Sequence, residues 1–159
     1  MGLFSKKTKT IELKSPLDGK SVPITTVNDP TFNKELLGKG IAFKPESCEL
    51  LCPCDGKISM IFDTGHAVSI QSDNGVEILI HIGLETVGLK GKGFETFVEN
   101  DQSVKEGDLL IKFDQKVIAE AGLDPITPMV ICNSDDYKSF DFVTGQDVKT
   151  GDVVIKLEA

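Results

Sequence analysis

Arginine is missing altogether: the 17 Lys+Arg side chains are all lysines, set against 25 Asp+Glu for a net charge of −8. Nucleic-acid recognition draws on a basic footprint and on guanidinium contacts to bases, so that class is excluded. An acidic surface serves solubility and suits docking on a basic partner. Long apolar runs are missing too. No stretch approaches the roughly 20 residues of a transmembrane helix, and no stable membrane insertion is expected. Met1-Gly2-Leu3-Phe4 leads straight into Ser5-Lys6-Lys7-Thr8-Lys9, without the apolar region of a secretory signal. Lys6 stands where the myristoylation pattern needs Ser or Thr. The expectation is a cytoplasmic protein whose cysteines, Cys48, Cys52, Cys54 and Cys132, stay reduced. The Cys48/Cys52/Cys54 cluster lacks the paired C-x2-C spacing of zinc sites. Neither a G-x-S-x-G elbow nor an H-E-x-x-H helix motif occurs. Histidine itself is scarce, with only His66 and His81 in 159 residues.

What is present is a succession of short apolar stretches broken by Gly, Pro, Asp and Asn. Ile11–Leu13, Ile41–Phe43, Ile58–Phe62, Leu109–Phe113, Met129–Cys132 and Val153–Leu157 read as strands. Two segments read as short helices. One opens with an Asp29 cap and Pro30 and closes at Gly38; the other runs from Lys116 to Ala121 and closes at Gly122. Pro16-Leu17-Asp18-Gly19-Lys20 recurs as Pro53-Cys54-Asp55-Gly56-Lys57. Val104-Lys105-Glu106-Gly107-Asp108 likewise recurs as Val148-Lys149-Thr150-Gly151-Asp152. Two unequal periods argue against a solenoid. They predict an all-β fold, an antiparallel β-sandwich of two related halves with one or two short helices. Residues 1–10 read as a flexible tail and 11–159 as a single domain.

The two histidines flank a hairpin. Both arms, Gly65-His66-Ala67-Val68-Ser69-Ile70 and Val76-Glu77-Ile78-Leu79-Ile80-His81-Ile82-Gly83, are apolar and β-branched, with Asn74-Gly75 as the turn signal. A two-residue turn at Asn74-Gly75 sets His81 opposite Val68 and makes the rings diagonal neighbours. A turn centred on Asp73-Asn74, or a loop from Ser72 to Gly75, sets His66 directly opposite His81. Only an odd loop without a compensating bulge separates them by parity. On the first register, one face carries His66, Val68, Ile70, Leu79 and His81, and the Ile78, Ile80 and Ile82 face is core. The histidines then sit in an apolar surface patch suited to a protein partner. The alternative is a pair of hydrogen-bonded core residues.

Imidazole, with a pKa near 6.5, is largely unprotonated and nucleophilic at neutral pH. One ring can accept a phosphoryl group while the other donates to its oxygens. A backbone carbonyl on Nδ1–H leaves Nε2 as the attacking atom; Gly83 can present such a carbonyl, and Thr64 can orient His66. The pair could equally hold zinc in an enzyme or a zinc-responsive binding module, with Asp63, Glu85 or a cysteine as third ligand. A lipoyl- or biotinyl-type carrier is a third reading, but no suitable hairpin lysine is evident.

The block from Gly65 to Ile70 and from Gly75 to Val87 resembles the glucose-type IIA component of the bacterial phosphoenolpyruvate:sugar phosphotransferase system. Val27–Phe32, Gly38–Ala42, Leu89–Phe94 and Pro125–Ile131 match as well, so the similarity runs from about Ile11 to the end. The resemblance implies a β-sandwich and a phosphohistidine carrier without a cofactor or a metal. In that role His81 accepts a phosphoryl group from the phosphocarrier HPr. It then passes the group to a cysteine on the IIB domain of a sugar permease, supporting sugar uptake with phosphorylation. By the same resemblance His66 stabilises the phosphoryl group, Thr64 orients His66, and Phe32, Leu37, Phe62, Val68, Leu79 and Val87 form the docking rim. Regulatory protein partners are a further class that the resemblance leaves open. Glu85 departs from the family pattern, where aspartate is common.

Overall fold

Short β-branched runs separated by glycine and proline turns fold as strands. The computed structural model, which describes residues 10–159, contains fourteen of them. In chain order they are β1 (Thr10–Lys14), β2 (Gly19–Pro23), β3 (Lys39–Pro45), β4 (Glu49–Leu51), β5 (Gly56–Ile61), β6 (Ala67–Ser72) and β7 (Glu77–His81). They continue as β8 (Phe94–Thr96), β9 (Ser103–Val104), β10 (Leu109–Phe113), β11 (Thr127–Ile131), β12 (Ser139–Phe142), β13 (Gln146–Val148) and β14 (Val153–Glu158). Thr10, placed in the tail from sequence, already belongs to β1 and pairs with Glu158; the rest of the expected tail, residues 1–9, lies outside the described residues.

An eight-stranded antiparallel sheet has the order β13-β2-β3-β11-β7-β6-β5-β9, and two three-stranded sheets have the orders β1-β14-β12 and β4-β10-β8. One cluster of buried side chains joins all three, including Leu13, Leu50, Ile58, Ile80, Leu110 and Ile155. The large sheet therefore packs on the two small ones as a β-sandwich. A second cluster lies on the outer face of the large sheet, where Ala42, Val130 and Leu79 point away from the main core. The chain between Ile24 and Phe32 folds over these residues, burying Ala42 and Val130 and leaving Leu79 partly exposed. Its short helix α1 (Pro30–Asn33) is capped by Asp29 Oδ1, which accepts the Thr31 N–H. The expected run to Gly38 is cut short because Glu35 turns into the left-handed region. Helix α2 (Gln115–Glu120) has the same Asp cap, from Asp114 to the Lys116 N–H. Among the described residues no helix is long and apolar enough to cross a membrane.

The sheet order is palindromic about the β11/β7 pair, and the repeated turns explain why. Asp18 of the first Pro-x-Asp-Gly-Lys turn accepts the Thr150 N–H at 2.8 Å, and Asp55 of the second accepts the Glu106 N–H at 2.9 Å. Each copy of one repeat thus closes onto the other repeat's opposite copy, and the halves cross over rather than follow one another. The Met129–Ile80 pair sits on the axis. Stepping outward by one residue makes His81 the counterpart of Val130. Ile82 bonds to His66 as Ile131 pairs with Lys39, so Lys39 is the counterpart of His66. The scaffold thus occurs twice, and the histidine pair occupies one copy only.

Candidate functional site

A three-residue loop, Asp73-Asn74-Gly75, closes the β6–β7 hairpin. Ser72 N–H donates to Val76 O and Gly75 N–H to Ser72 O, both at 2.9 Å, and Gly75 takes φ +88°. This is the three-residue hairpin loop with glycine at its left-handed position. Neither register anticipated from the Asn-Gly signal occurs: Ala67 lies opposite His81 and Val68 opposite Ile80. Ladder parity alone would put the two histidines on opposite faces. The rings nevertheless meet edge to face, with centroids 4.9 Å apart and planes at 80°. His66 precedes β6, just after a turn in which Gly65 N–H donates to Phe62 O. Its carbonyl is tied to the ladder by Ile82 N–H at 2.7 Å, but its side chain lies beyond the strand and escapes the alternation.

The register also corrects the rim. Val68 faces the main core and is 0% exposed, so it cannot form part of a docking surface in this structure. Phe32 is buried but stands against the His81 ring at 5.4 Å, and Phe62 stands edge-on to His66 at 5.5 Å. Leu79 is partly exposed beside the second cluster, while Val87 is 54% and Leu37 40% exposed. The register carries Leu37 toward the level of Ile131 and Ile78 rather than that of His81.

Each imidazole has its Nδ1 engaged. His81 Nδ1–H donates to the Gly83 carbonyl at 2.7 Å. Because that carbonyl can only accept, the proton of neutral His81 resides on Nδ1 and the Nε2 lone pair is free. His66 Nδ1 and Thr64 Oγ1 share a hydrogen bond of 2.5 Å. A hydroxyl donating there leaves the proton of His66 on Nε2, available to a bound anion. Burial pushes the His66 pKa down to about 4, with the charge on His81 adding to the effect. Burial also lowers His81, opposed by the Gly83 hydrogen bond and by the Asp29 carboxylate. Both rings are therefore neutral at pH 7, and His81 has a free Nε2 lone pair.

Sequence reasoning singled out His81, His66, Thr64 and the Gly83 carbonyl, which the structure brings together. It read Asp29 only as a helix cap, although that cap places a carboxylate close enough to act on His81. It also missed buried Thr86, whose hydroxyl donates to Ile82 O beside the site; a threonine near a Gly-rich turn carries little signal. For the zinc alternative, no group of three His, Cys, Asp or Glu that could hold a metal occurs among the described residues. Cys52 and Cys54 are buried, with Cys52 Sγ–H donating to Cys54 O at 3.1 Å, while Cys48 and Cys132 are exposed.

Fold and site together define an antiparallel β-sandwich protein with a paired-imidazole site on the outer face of its large sheet. Residues 11–137 match the family model described as phosphoenolpyruvate-dependent sugar phosphotransferase system, EIIA 1. The chain belongs to this family and is of the glucose-type IIA kind, a phosphocarrier component of sugar uptake. It is 44% identical over 143 residues to the glucose-specific EIIA component of the phosphotransferase system of Borreliella burgdorferi, covering 90% of this chain and 76% of that one. It is 41% identical over 154 residues to the raffinose carrier protein of Pediococcus pentosaceus, spanning 96% of this chain but only 24% of that protein. Glucose permease IIA from Mycoplasma capricolum shares the fold with a TM-score of 0.88 and 39% identity, covering 98% of this chain and 99% of its own.

Proposed function

We propose that His81 accepts a phosphoryl group from HPr on Nε2 and passes it to a cysteine of the IIB domain of a sugar permease. The single observation that carries this reading is the hydrogen bond from His81 Nδ1–H to Gly83 O, which leaves Nε2 as the nucleophile. In the first step the Nε2 lone pair attacks phosphorus, and the bond to the donor breaks with its electron pair returning to the donor. In the second step the cysteine sulfur attacks the same phosphorus from the other side. The P–N bond then breaks, and its electrons return to Nε2. His66, oriented by Thr64, donates from its Nε2–H to a phosphoryl oxygen as charge moves; such fixed donors are where transfer sites gain most of their stabilisation.

Phe62, Leu79 and Val87 are the apolar residues offered to the partners, with exposed Leu37 farther from His81; Phe32, buried against the His81 ring, and Phe62 hold the imidazoles in place. The chain's net charge of −8 complements a basic docking face. The test is incubation with phosphoenolpyruvate, enzyme I and HPr. The parent should acquire one acid-labile phosphate and His81→Ala none. Full acceptance by His81→Ala would refute the assignment.

A further inference from the structure

The Gly83 carbonyl sets the tautomer of His81, so whatever aims that carbonyl acts on the nucleophile. Gly83 lies two residues past the end of the ladder and takes φ +75°. Both peptide planes that flank it are held. On the far side, Leu84 N–H donates to Asp124 O at 2.9 Å. On the near side, the Ile82 carbonyl accepts the hydroxyl hydrogen of Thr86. Thr86 also uses its methyl group: a Cβ built on Gly83 would lie 2.6 Å from Thr86 Cγ2. Its side chain is wholly buried, and the hydroxyl's bond to Ile82 O accounts for its polar atom.

We propose that Thr86 is a positioning residue for His81. Its hydroxyl holds the Ile82–Gly83 peptide so that the next carbonyl, that of Gly83, points at Nδ1, while its methyl only fills the space beside Gly83. Thr86 does not approach the transferred group and acts only through Gly83. Its effect on transfer rests on His81 being the acceptor, whereas its effect on the imidazole does not.

Three variants separate the hydroxyl from the methyl. Thr86→Val keeps the branched shape and removes the donor, Thr86→Ser keeps the donor and removes the methyl, and Thr86→Ala removes both. The readouts are the 15N shifts of the His81 ring across pH, which report the tautomer, and the rate of acceptance from phosphorylated HPr. Thr86→Val should mix the two neutral tautomers, lower the His81 titration midpoint and slow acceptance by roughly 10-fold to 100-fold. Thr86→Ser should retain the parent tautomer. If Thr86→Val fails to fold, the same contrast is read between Ser and Ala. A parent-like tautomer and rate in Thr86→Val, or in Thr86→Ala where Val does not fold, would overturn the proposal. Phosphate found elsewhere than on His81 would instead refute the acceptor assignment, and the 15N shifts would still decide the role of Thr86.

Discussion

His66 stands edge-on to His81, ring centroids 4.9 Å apart, although the hairpin ladder would by itself place them on opposite faces. The exception arises at the Gly65 turn, where His66 leaves the strand's alternation. Two neutral imidazoles meet as a result, one with a free lone pair and one able to donate. The division of labour between them is open to direct measurement.

His66→Gln keeps a side chain that can fill part of the space but places its donor differently. Acceptance from HPr should survive within a few-fold. Onward transfer to the IIB cysteine should fall roughly 10²–10³-fold, the usual loss when one fixed donor is removed. Single-turnover transfer from the phosphorylated variant measures this; equal onward rates would remove His66 from the mechanism.

Stability should depend on pH through His66. Its folded pKa of about 4 lies below the ordinary 6.5 because burial penalises the charged ring. The unfolded chain therefore takes up the proton first. The contribution is fully present above about pH 6.5 and is lost as pH falls toward 4. Asp18, held down by the Thr150 N–H, adds a separate loss only below its ordinary 3.8. Urea midpoints across this range should fall with acid in the parent and fall less steeply in His66→Gln, where the lowered His81 still contributes.

Gly83→Ala should damage both fold and site. The added methyl meets Thr86 Cγ2 at 2.6 Å and Asp124 O at 3.0 Å, with φ +75° unfavourable to any side chain. The strain should cost about 1–3 kcal/mol, read as a lower denaturant midpoint, and the His81 tautomer should become mixed.

The crossed turns should be unequal. Asp18 accepts both the N–H and the hydroxyl of Thr150, at 2.8 and 3.1 Å. The exposed Asp55 accepts the Glu106 N–H at 2.9 Å and has only a long ion pair with Lys105, at 3.9 Å. Asp18→Ala should destabilise by about 1–2 kcal/mol and Asp55→Ala by less than about 1 kcal/mol. Chemical denaturation of the two variants makes the comparison.

The six apolar stretches picked out from sequence are strands in the structure, because alternation and turn residues act locally. The Asp29 cap and the Gly122 stop were legible for the same reason. The hairpin register was not. Asn-Gly suits a two-residue turn, but Gly75 serves equally as the left-handed residue of a three-residue loop, and that choice moved Val68 from the surface to the core. The palindromic sheet was only half visible. The repeats showed that two halves exist, but their crossing depends on Asp18 reaching Thr150, a contact between residues far apart in the chain. Asp29 and Thr86 escaped notice because each acts on His81 through space or through a neighbour's backbone.

The proposed phosphoryl acceptor is one nitrogen atom, Nε2 of His81. With 15N-labelled histidine, the phosphorylated protein should show a one-bond nitrogen–phosphorus coupling at Nε2 of His81, with Nδ1 still carrying its proton to Gly83. A coupling at Nδ1 of His81, or at either nitrogen of His66, would contradict it.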